Sequence, residues 1–310
     1  MKTHIAIGSR GSKLALWQAE WVKKRLTTHH PGLHATITII KTKGDKILDV
    51  PLAKVGGKGL FVKEIEEALL SGDIDLAVHS MKDMPGQIPA GLTIGAVPER
   101  ETPLDVLIAS ANRPFKDLKE GARIGTSSLR RASQLLHARP DVKIVPLRGN
   151  LDTRLRKLAT ENLDAIVLAA AGVKRLHLEN RITQYLDISI MLPAAGQGAL
   201  CVEIRSDDPD TAALVNPLDH APTRTVIAGE RAFLNHLGGS CQIPIAAFGE
   251  ITRNRYVLRG LVSDLAGREV IADTREGDPE RSDHIGIELA EHLMNRGAAE
   301  ILNLIQTNKD

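Results

Sequence analysis

Residues 4–40 leave few folds open. H-I-A-I-G at 4–8 reads as a short strand. Ser9 to Ser12 make a polar turn, with Ser12 placed to cap a helix. Leu16, Ala19, Val22 and Leu26 then keep helical spacing to about His29. Pro31-Gly32 ends that helix, and A-T-I-T-I-I at 35–40 is β-branched and reads as a second strand. Strand, helix and strand joined by a crossover of this length form a right-handed parallel βαβ unit. The expected class is therefore α/β.

The same logic recurs along the chain. A long polar, glycine-rich loop from Lys41 to Gly59 ends in V-G-G-K-G, and its length and glycines predict mobility. A helix follows with Phe61, Ile65, Ala68 and Leu69 on one face, then strands at 75–78 and 92–97. P-E-R-E-T-P at 98–103 reads as a hinge. Beyond it, strands are expected near 106–109, 123–127, 143–147 and 165–170, with helices from Ser128 to before Pro140 and from Leu151 to Ala159. P-A-A-G-Q-G at 193–198 is a second crossing, and the strand at 200–204 is expected to return to the first sheet. From Ala221 the pattern changes to a helix, three strand-like segments with an antiparallel hairpin through D-L-A-G, and one long amphipathic closing helix. No repeat of fixed period is visible. A single core stops growing at roughly 250–300 residues, so this chain of 310 is expected to have several domains. These are domain 1 at 1–98 plus 199–217, domain 2 at 104–193, and a small α+β domain 3 at 221–310 with an antiparallel three-stranded sheet.

Composition narrows the function. The net charge is +2, so any basic site must be local. Two Trp, two Tyr and four Phe are too few to stack nucleic-acid bases among the cations. No apolar run approaches the roughly 20 residues of a membrane span, and the start of the chain has no signal-peptide pattern. Two cysteines, Cys201 and Cys241, make neither a disulfide framework nor a ligand-spaced metal motif. The expectation is a cytoplasmic, monomeric protein with reduced thiols, bound to no membrane, nucleic acid or metal.

Within that frame, D-L-A-V-H-S-M-K-D-M-P at 75–85 is a buried strand that breaks into His79, Ser80, Lys82 and Asp83. Open α/β sheets place ligands at such strand ends. Asp83 is the carboxylate there, beside a cation, and is the candidate for the chemistry. Cations recur at the other turns: Arg10, Lys54, Lys58, Arg130, Arg131, Arg148 before Gly149, Arg154 and Arg175. Helix starts bind anions through free N–H groups and the dipole, and arginine adds a fork that fits carboxylates. Arg130 and Arg131 oppose the dipole of their own helix, which argues for an anion there. V-G-G-K-G lacks the Walker spacing, so a small molecule with many carboxylates or phosphates suits the pattern better than a nucleotide. Cys201 reads as a buried small residue. Cys241, after three small residues in G-G-S-C-Q-I-P, fits either that role or an accessible covalent attachment point.

These landmarks together resemble the porphobilinogen deaminase (hydroxymethylbilane synthase) family over essentially the whole chain. S-R-G-S-K-L-A-L-W-Q, P-L-A-K-V-G-G-K-G-L-F-V-K-E, H-S-M-K-D-M-P, I-G-T-S-S-L-R-R, L-R-G-N-L-D-T-R-L, L-P-A-A-G-Q-G-A-L and G-G-S-C-Q-I-P follow the family pattern in order. Ser9 stands where a typical member has Thr. The resemblance implies two α/β domains like those of periplasmic binding proteins, with a cleft between them, and a third domain carrying the cysteine loop. It implies a transferase that joins four porphobilinogen molecules head to tail, releases ammonia, and hydrolyses off the linear tetrapyrrole. A dipyrromethane cofactor is implied as a thioether on Cys241. Cofactor contacts are implied for Arg10, Ser12, Lys82, Asp83, Ser128, Arg130, Arg131, Arg148 and Gly149. Substrate contacts are implied for Arg10, Ser80, Arg148, Arg154, Arg175, Phe61 and Gln197, with Lys54 and Lys58 on a mobile loop and Asp83 catalytic. A non-enzymatic binder of a small polyanion is the alternative; it leaves Cys241 and the third domain unexplained.

Overall fold

The computed structural model describes residues 2–46, 62–238 and 243–307. Strand β1 (His4–Ser9) leads into helix α1 (Lys13–His29). The Ala15 N–H donates to Ser12 Oγ at 3.2 Å, the predicted cap. Ala15, Gln18, Ala19, Val22 and Leu26 form the buried stripe of α1. Strand β2 (His34–Ile39) returns parallel to β1, from His4 opposite His34 to Ser9 opposite Ile39. A short helix α2 (Lys43–Lys46) interrupts what reads in the sequence as loop. Helix α3 (Lys63–Ser71) and strand β3 (Leu76–Ser80) follow, β3 parallel to β1, and then strand β4 (Leu92–Ala96).

The chain leaves this unit between residues 101 and 102. Strand β5 (Asp105–Ala109), strand β6 (Arg123–Gly125), helix α4 (Leu129–Ala138), strand β7 (Lys143–Val145), helix α5 (Leu151–Thr160), strand β8 (Ala165–Ala169), helix α6 (Ala170–Arg175) and strand β9 (Gln184–Tyr185) come next. It returns between 197 and 198 through strand β10 (Leu200–Arg205) and helix α7 (Pro209–Val215).

The first sheet has the order β2-β1-β3-β10-β4 and the second β7-β6-β8-β5-β9. In each, three parallel strands are followed by one antiparallel strand, β10 or β5, which is the first strand after a crossing. The two sheets are thus built alike, and their first turns match: I-G-S before Ser12, I-G-T before Ser128. No fixed spacing relates the halves, which is why a search by period does not find the correspondence. Alternation divides the first sheet between two cores. Ile5, Ile7, Leu76 and Val78 pack with α1, whereas Ala6 and Ala77 pack with Ile65 and Leu69 of α3.

Helix α8 (Ala221–His236) opens the last region, followed by strands β11 (Ile245–Thr252), β12 (Arg255–Ser263) and β13 (Val270–Gly277) in an antiparallel sheet. Phe233, Tyr256, Leu258, Leu289 and Leu293 centre its core. Helix α9 (Ser282–Leu293) crosses α8 at backbone contact, because a Cβ on Gly286 would meet the Gly229 carbonyl. The single closing helix expected from sequence is instead two. Gly297 sits at φ 107°, in the left-handed region, and separates α9 from helix α10 (Ala299–Thr307). By contacts, 102–197 and the described residues from 225 onward form one compact unit, although the last region has its own core. No helix among the described residues is long and apolar enough to cross a membrane.

Candidate active site

Because β1 and β3 are adjacent and parallel, the turns that follow them emerge at one edge of the first sheet. Arg10 and Ser12 come from the first turn. Ser80 ends β3, and Asp83 ends the 3₁₀ turn Met81–Asp83. The turn is pinned by the Met81 N–H donating to the Ala199 carbonyl at 3.0 Å. A cavity of about 70 Å³ is lined by Arg10, Ser12, Gln18, Ser80 and Asp83, with Val62 and Val78 as apolar wall. Lys82 lies in the same turn but does not line the cavity. Gln18 is a site residue that sequence reasoning missed. It is 2% exposed, and its Nε2 donates to Ser80 Oγ at 3.0 Å. The available signal was a polar residue inside the apolar stripe of α1.

His79 is not in the polar turn where the sequence suggests it. It belongs to β3, and its Nε2 lies 3.1 Å from Glu203 Oε2 of β10, both side chains buried. Glu66 of α3 is also buried. Burial, then the Glu203 carboxylate, push its carboxyl from the ordinary 4.5 up to about 6, against the pull of His79. A raised acid favours the folded state below its unfolded value, and the advantage is lost as pH rises through the folded one. Glu66→Gln should therefore raise the unfolding free energy by about 2 kcal/mol above pH 6. The gain should fade as pH falls from about 6 to 4.5 and be absent below that, as denaturant titrations at several pH values would measure.

The second sheet repeats the arrangement with cations. Parallel β6, β7 and β8 bring Ser128, Arg148 with Gly149, and Arg175 to one sheet edge. Ser127 ties the first two turns: its Oγ donates to the Leu147 carbonyl at 3.0 Å and accepts the Leu147 N–H at 2.9 Å. Gly149 has φ 112°, and Arg154 Nε donates to its carbonyl at 2.9 Å. Arg175 is buried at the end of α6.

Arg130 and Arg131 are buried and share Asp105 of β5. Arg130 Nη1 donates to Asp105 Oδ2 and to the Leu192 carbonyl, both at 2.7 Å. Arg131 reaches Asp105 Oδ1 through Nε at 2.9 Å and Nη2 at 2.8 Å. Burial pushes the Arg131 guanidinium below its ordinary value, Asp105 opposes that, and Arg130 adds to it. Part of the anion that these two arginines call for at the start of α4 is thus supplied by the protein itself.

The second crossing is held from the last region. The Gly196 N–H donates to Glu230 Oε2 at 2.7 Å and the Gly249 N–H to Oε1 at 2.8 Å, with Glu230 fully buried in α8. Gln197 beside it is fully buried, and its Nε2 donates to the Pro103 carbonyl at 2.7 Å, joining the two crossings. Glu230→Ala should lower the unfolding free energy by about 3 kcal/mol or more, since two charge-assisted bonds are lost and two buried donors orphaned. Glu230→Gln should lose less. The denaturant midpoint would report both, at unchanged slope.

Cys201 is fully buried in β10, as expected for a packing residue. Lys54, Lys58, Phe61 and Cys241 lie outside the described residues. Among the described residues, no group of three or more His, Cys, Asp or Glu is placed to hold a metal ion.

Comparison with known proteins gives the family. A family model described as "Porphobilinogen deaminase, dipyromethane cofactor binding domain" matches residues 5–213, and one described as "Porphobilinogen deaminase, C-terminal domain" matches residues 224–295. The chain is 54% identical over 298 residues to a porphobilinogen deaminase of Syntrophotalea carbinolica, covering 96% of this chain and 95% of that one. It is 53% identical to that of Carboxydothermus hydrogenoformans, covering 99% and 98%. It is 52% identical to that of Pelobacter propionicus, covering 96% of each. Among solved structures it is similar to a TRAP periplasmic solute binding protein from Desulfovibrio salexigens, with 11% identity, a TM-score of 0.43, and 71% and 73% of the two chains covered. The fold stated above rests on strand pairing, not on that likeness.

Proposed function

The chain belongs to the porphobilinogen deaminase family, and from that premise we propose how its residues divide the work of tetrapyrrole synthesis. The reaction joins four porphobilinogen molecules and hydrolyses the product off as the linear tetrapyrrole hydroxymethylbilane. In each condensation the C–N bond of an aminomethyl group breaks and ammonia leaves with the electron pair. A C–C bond forms from that methylene to the α-carbon of another pyrrole, whose proton passes to a base. Positive charge spreads over the reacting ring as the C–N bond breaks. A fixed carboxylate that faces this charge and accepts the pyrrole N–H lowers the barrier. Asp83 has that role, with proton transfer as its second one.

The observation that carries this reading is the convergence of Arg10, Ser12, Ser80 and Asp83 on one cavity from two separate turns. Each ring of the substrate brings an acetate and a propionate. On the first unit, Arg10, Ser12, Lys82 and Ser80 hold such carboxylates. On the second, Ser128, Arg130, Arg131, Arg148, Gly149, Arg154 and Arg175 do so, with Arg130 and Arg131 using the donors that Asp105 and the Leu192 and Val167 carbonyls leave. Gln197 positions the crossings.

The family's dipyrromethane cofactor brings four carboxylates of the same kind. The donor set fits it: guanidiniums, hydroxyls and helix starts at strand ends, with one carboxylate among them. When bound, the cofactor supplies the pyrrole to which the first substrate unit is joined. Cys241 holds it as a thioether. We read the protein as a monomeric, cytoplasmic hydroxymethylbilane synthase that uses no metal. Purified chain given porphobilinogen should release one ammonia per substrate consumed. Consumption without ammonia, or none at all, would overturn the reading.

A further inference from the structure

Glu66, His79 and Glu203 meet behind the cavity, and the condensation as described above does not use them. They come from three elements: α3, β3 and β10. All three are buried. His79 and Glu203 are paired at 3.1 Å. Glu66 Oε1 and Glu203 Oε1 are each buried with no hydrogen-bond partner among the described residues. A buried carboxylate oxygen without a donor is costly, and two such oxygens from interacting carboxylates are costlier still. One proton on Glu66 addresses both problems. It removes one of two buried negative charges, and it turns an orphaned acceptor into a donor. The remaining groups are then a neutral acid and the Glu203–His79 pair.

Among the described residues, the cations on the elements around Glu66 are engaged with other groups: on α3, Lys63 lies 3.9 Å from Glu67 Oε1. From α3 itself, Glu67 acts on Glu66 with like charge. From β10, Arg205 is engaged elsewhere, with the Leu69 and Ile74 carbonyls and Asp208. From β1 the one titratable side chain is His4, which is exposed, and β4 (L-T-I-G-A) has none. His79 is therefore the partner through which the proton on Glu66 is felt, and His79 also lines the cavity with Arg10 and Asp83.

We propose that Glu66, His79 and Glu203 form one proton-sharing unit, and that through it His79 is a positioning residue for the Asp83 cavity. When Glu66 carries the proton, the unit is settled and the ring is held by Glu203 alone. When the proton leaves, two buried carboxylates compete for the same imidazole, and the cavity wall gains negative charge opposite a substrate that is itself held by its carboxylates. This rests on the assignment of the cavity to the reaction.

The test pairs kinetics with infrared spectroscopy on the full chain. The KM for porphobilinogen is measured across pH for wild type and Glu66→Gln. Titration of the substrate itself is common to both and cancels in the ratio. Wild-type KM should rise by about tenfold, equivalent to one unit of proton coupling, as pH climbs through about 6, and the Glu66→Gln profile should lack that step. A merely structural role would shift stability and leave the two profiles parallel, which would overturn the positioning role. Difference infrared spectra should contain a protonated-carboxyl stretch in wild type that is lost as pH rises through about 6 and is missing from Glu66→Gln. A wild type without such a titrating band overturns the shared proton, whether or not the variant folds. The infrared arm needs no turnover, so it stands apart from any failure of the site assignment.

Discussion

Asp83→Ala should lower turnover of porphobilinogen by about a thousandfold while leaving the protein folded. Loss of one preorganised electrostatic group at a reacting centre typically costs 10²–10³ in rate, and Asp83 is proposed both to stabilise charge and to move a proton. The substitution removes no core side chain. The turn that carries it is fixed by backbone bonds, Met81 N–H to Ala199 O at 3.0 Å and Met84 N–H to Met81 O at 3.1 Å, which alanine leaves intact. The denaturation midpoint should thus hardly move. Asp83→Asn separates the two contributions, because it keeps the shape and one acceptor but loses the charge. It should be nearly as inactive as Asp83→Ala. Asp83→Glu keeps the charge on a longer arm inside a cavity of about 70 Å³, and should retain measurable ammonia release. A fully active Asp83→Ala protein would sink the assignment.

Cys241→Ser should abolish turnover through a different route. A thioether needs the sulfur, and a serine hydroxyl is a far weaker nucleophile at neutral pH. The variant should fold, because the described residues on either side, Leu237 and Ile243, are anchored in the core of the last region independently of position 241. It should carry no pyrrole. The attachment cannot move to the other cysteine, since Cys201 is fully buried in β10 between β3 and β4. A Cys241→Ser protein that still carries covalent pyrrole and still turns over would contradict the proposal. These two variants fail differently: Asp83→Ala should be inactive with cofactor in place when that cofactor is supplied, and Cys241→Ser inactive without it.

Local signals in the sequence carried the fold a long way. The Ser12 cap, the apolar spacing of α1 and the β-branched run of β2 are each decided within a few residues, and each is where the sequence puts it. The return of β10 to the first sheet followed from its apolar run beyond the second crossing. What the sequence hid depends on distant partners. Asp105 precedes Arg130 by 25 residues, and no spacing rule marks it as their shared counter-ion. His79 and Glu203 are separated by 124 residues, so His79 read as part of a polar turn when it is buried in the strand. Glu230 has no distinguishing signal within its own helix, yet it anchors Gly196 and Gly249. Gly297 sits in an amphipathic run whose spacing survives the break, so only its φ reveals two helices. At the site, Asp83 and Arg10 were legible as charged residues at strand ends. Gln18 was not, because burial of a polar side chain in an apolar stripe is a property of the packed helix.

A fixed carboxylate at Asp83 and a covalent anchor at Cys241 are the two proposed essentials, and the intact mass of the protein tests the anchor most directly. Purified protein incubated with porphobilinogen, then denatured and weighed, should exceed its sequence mass of 33.6 kDa by two linked pyrrole units, and Cys241→Ser treated alike should not. A wild-type protein that remains at its bare sequence mass after that incubation would contradict the account.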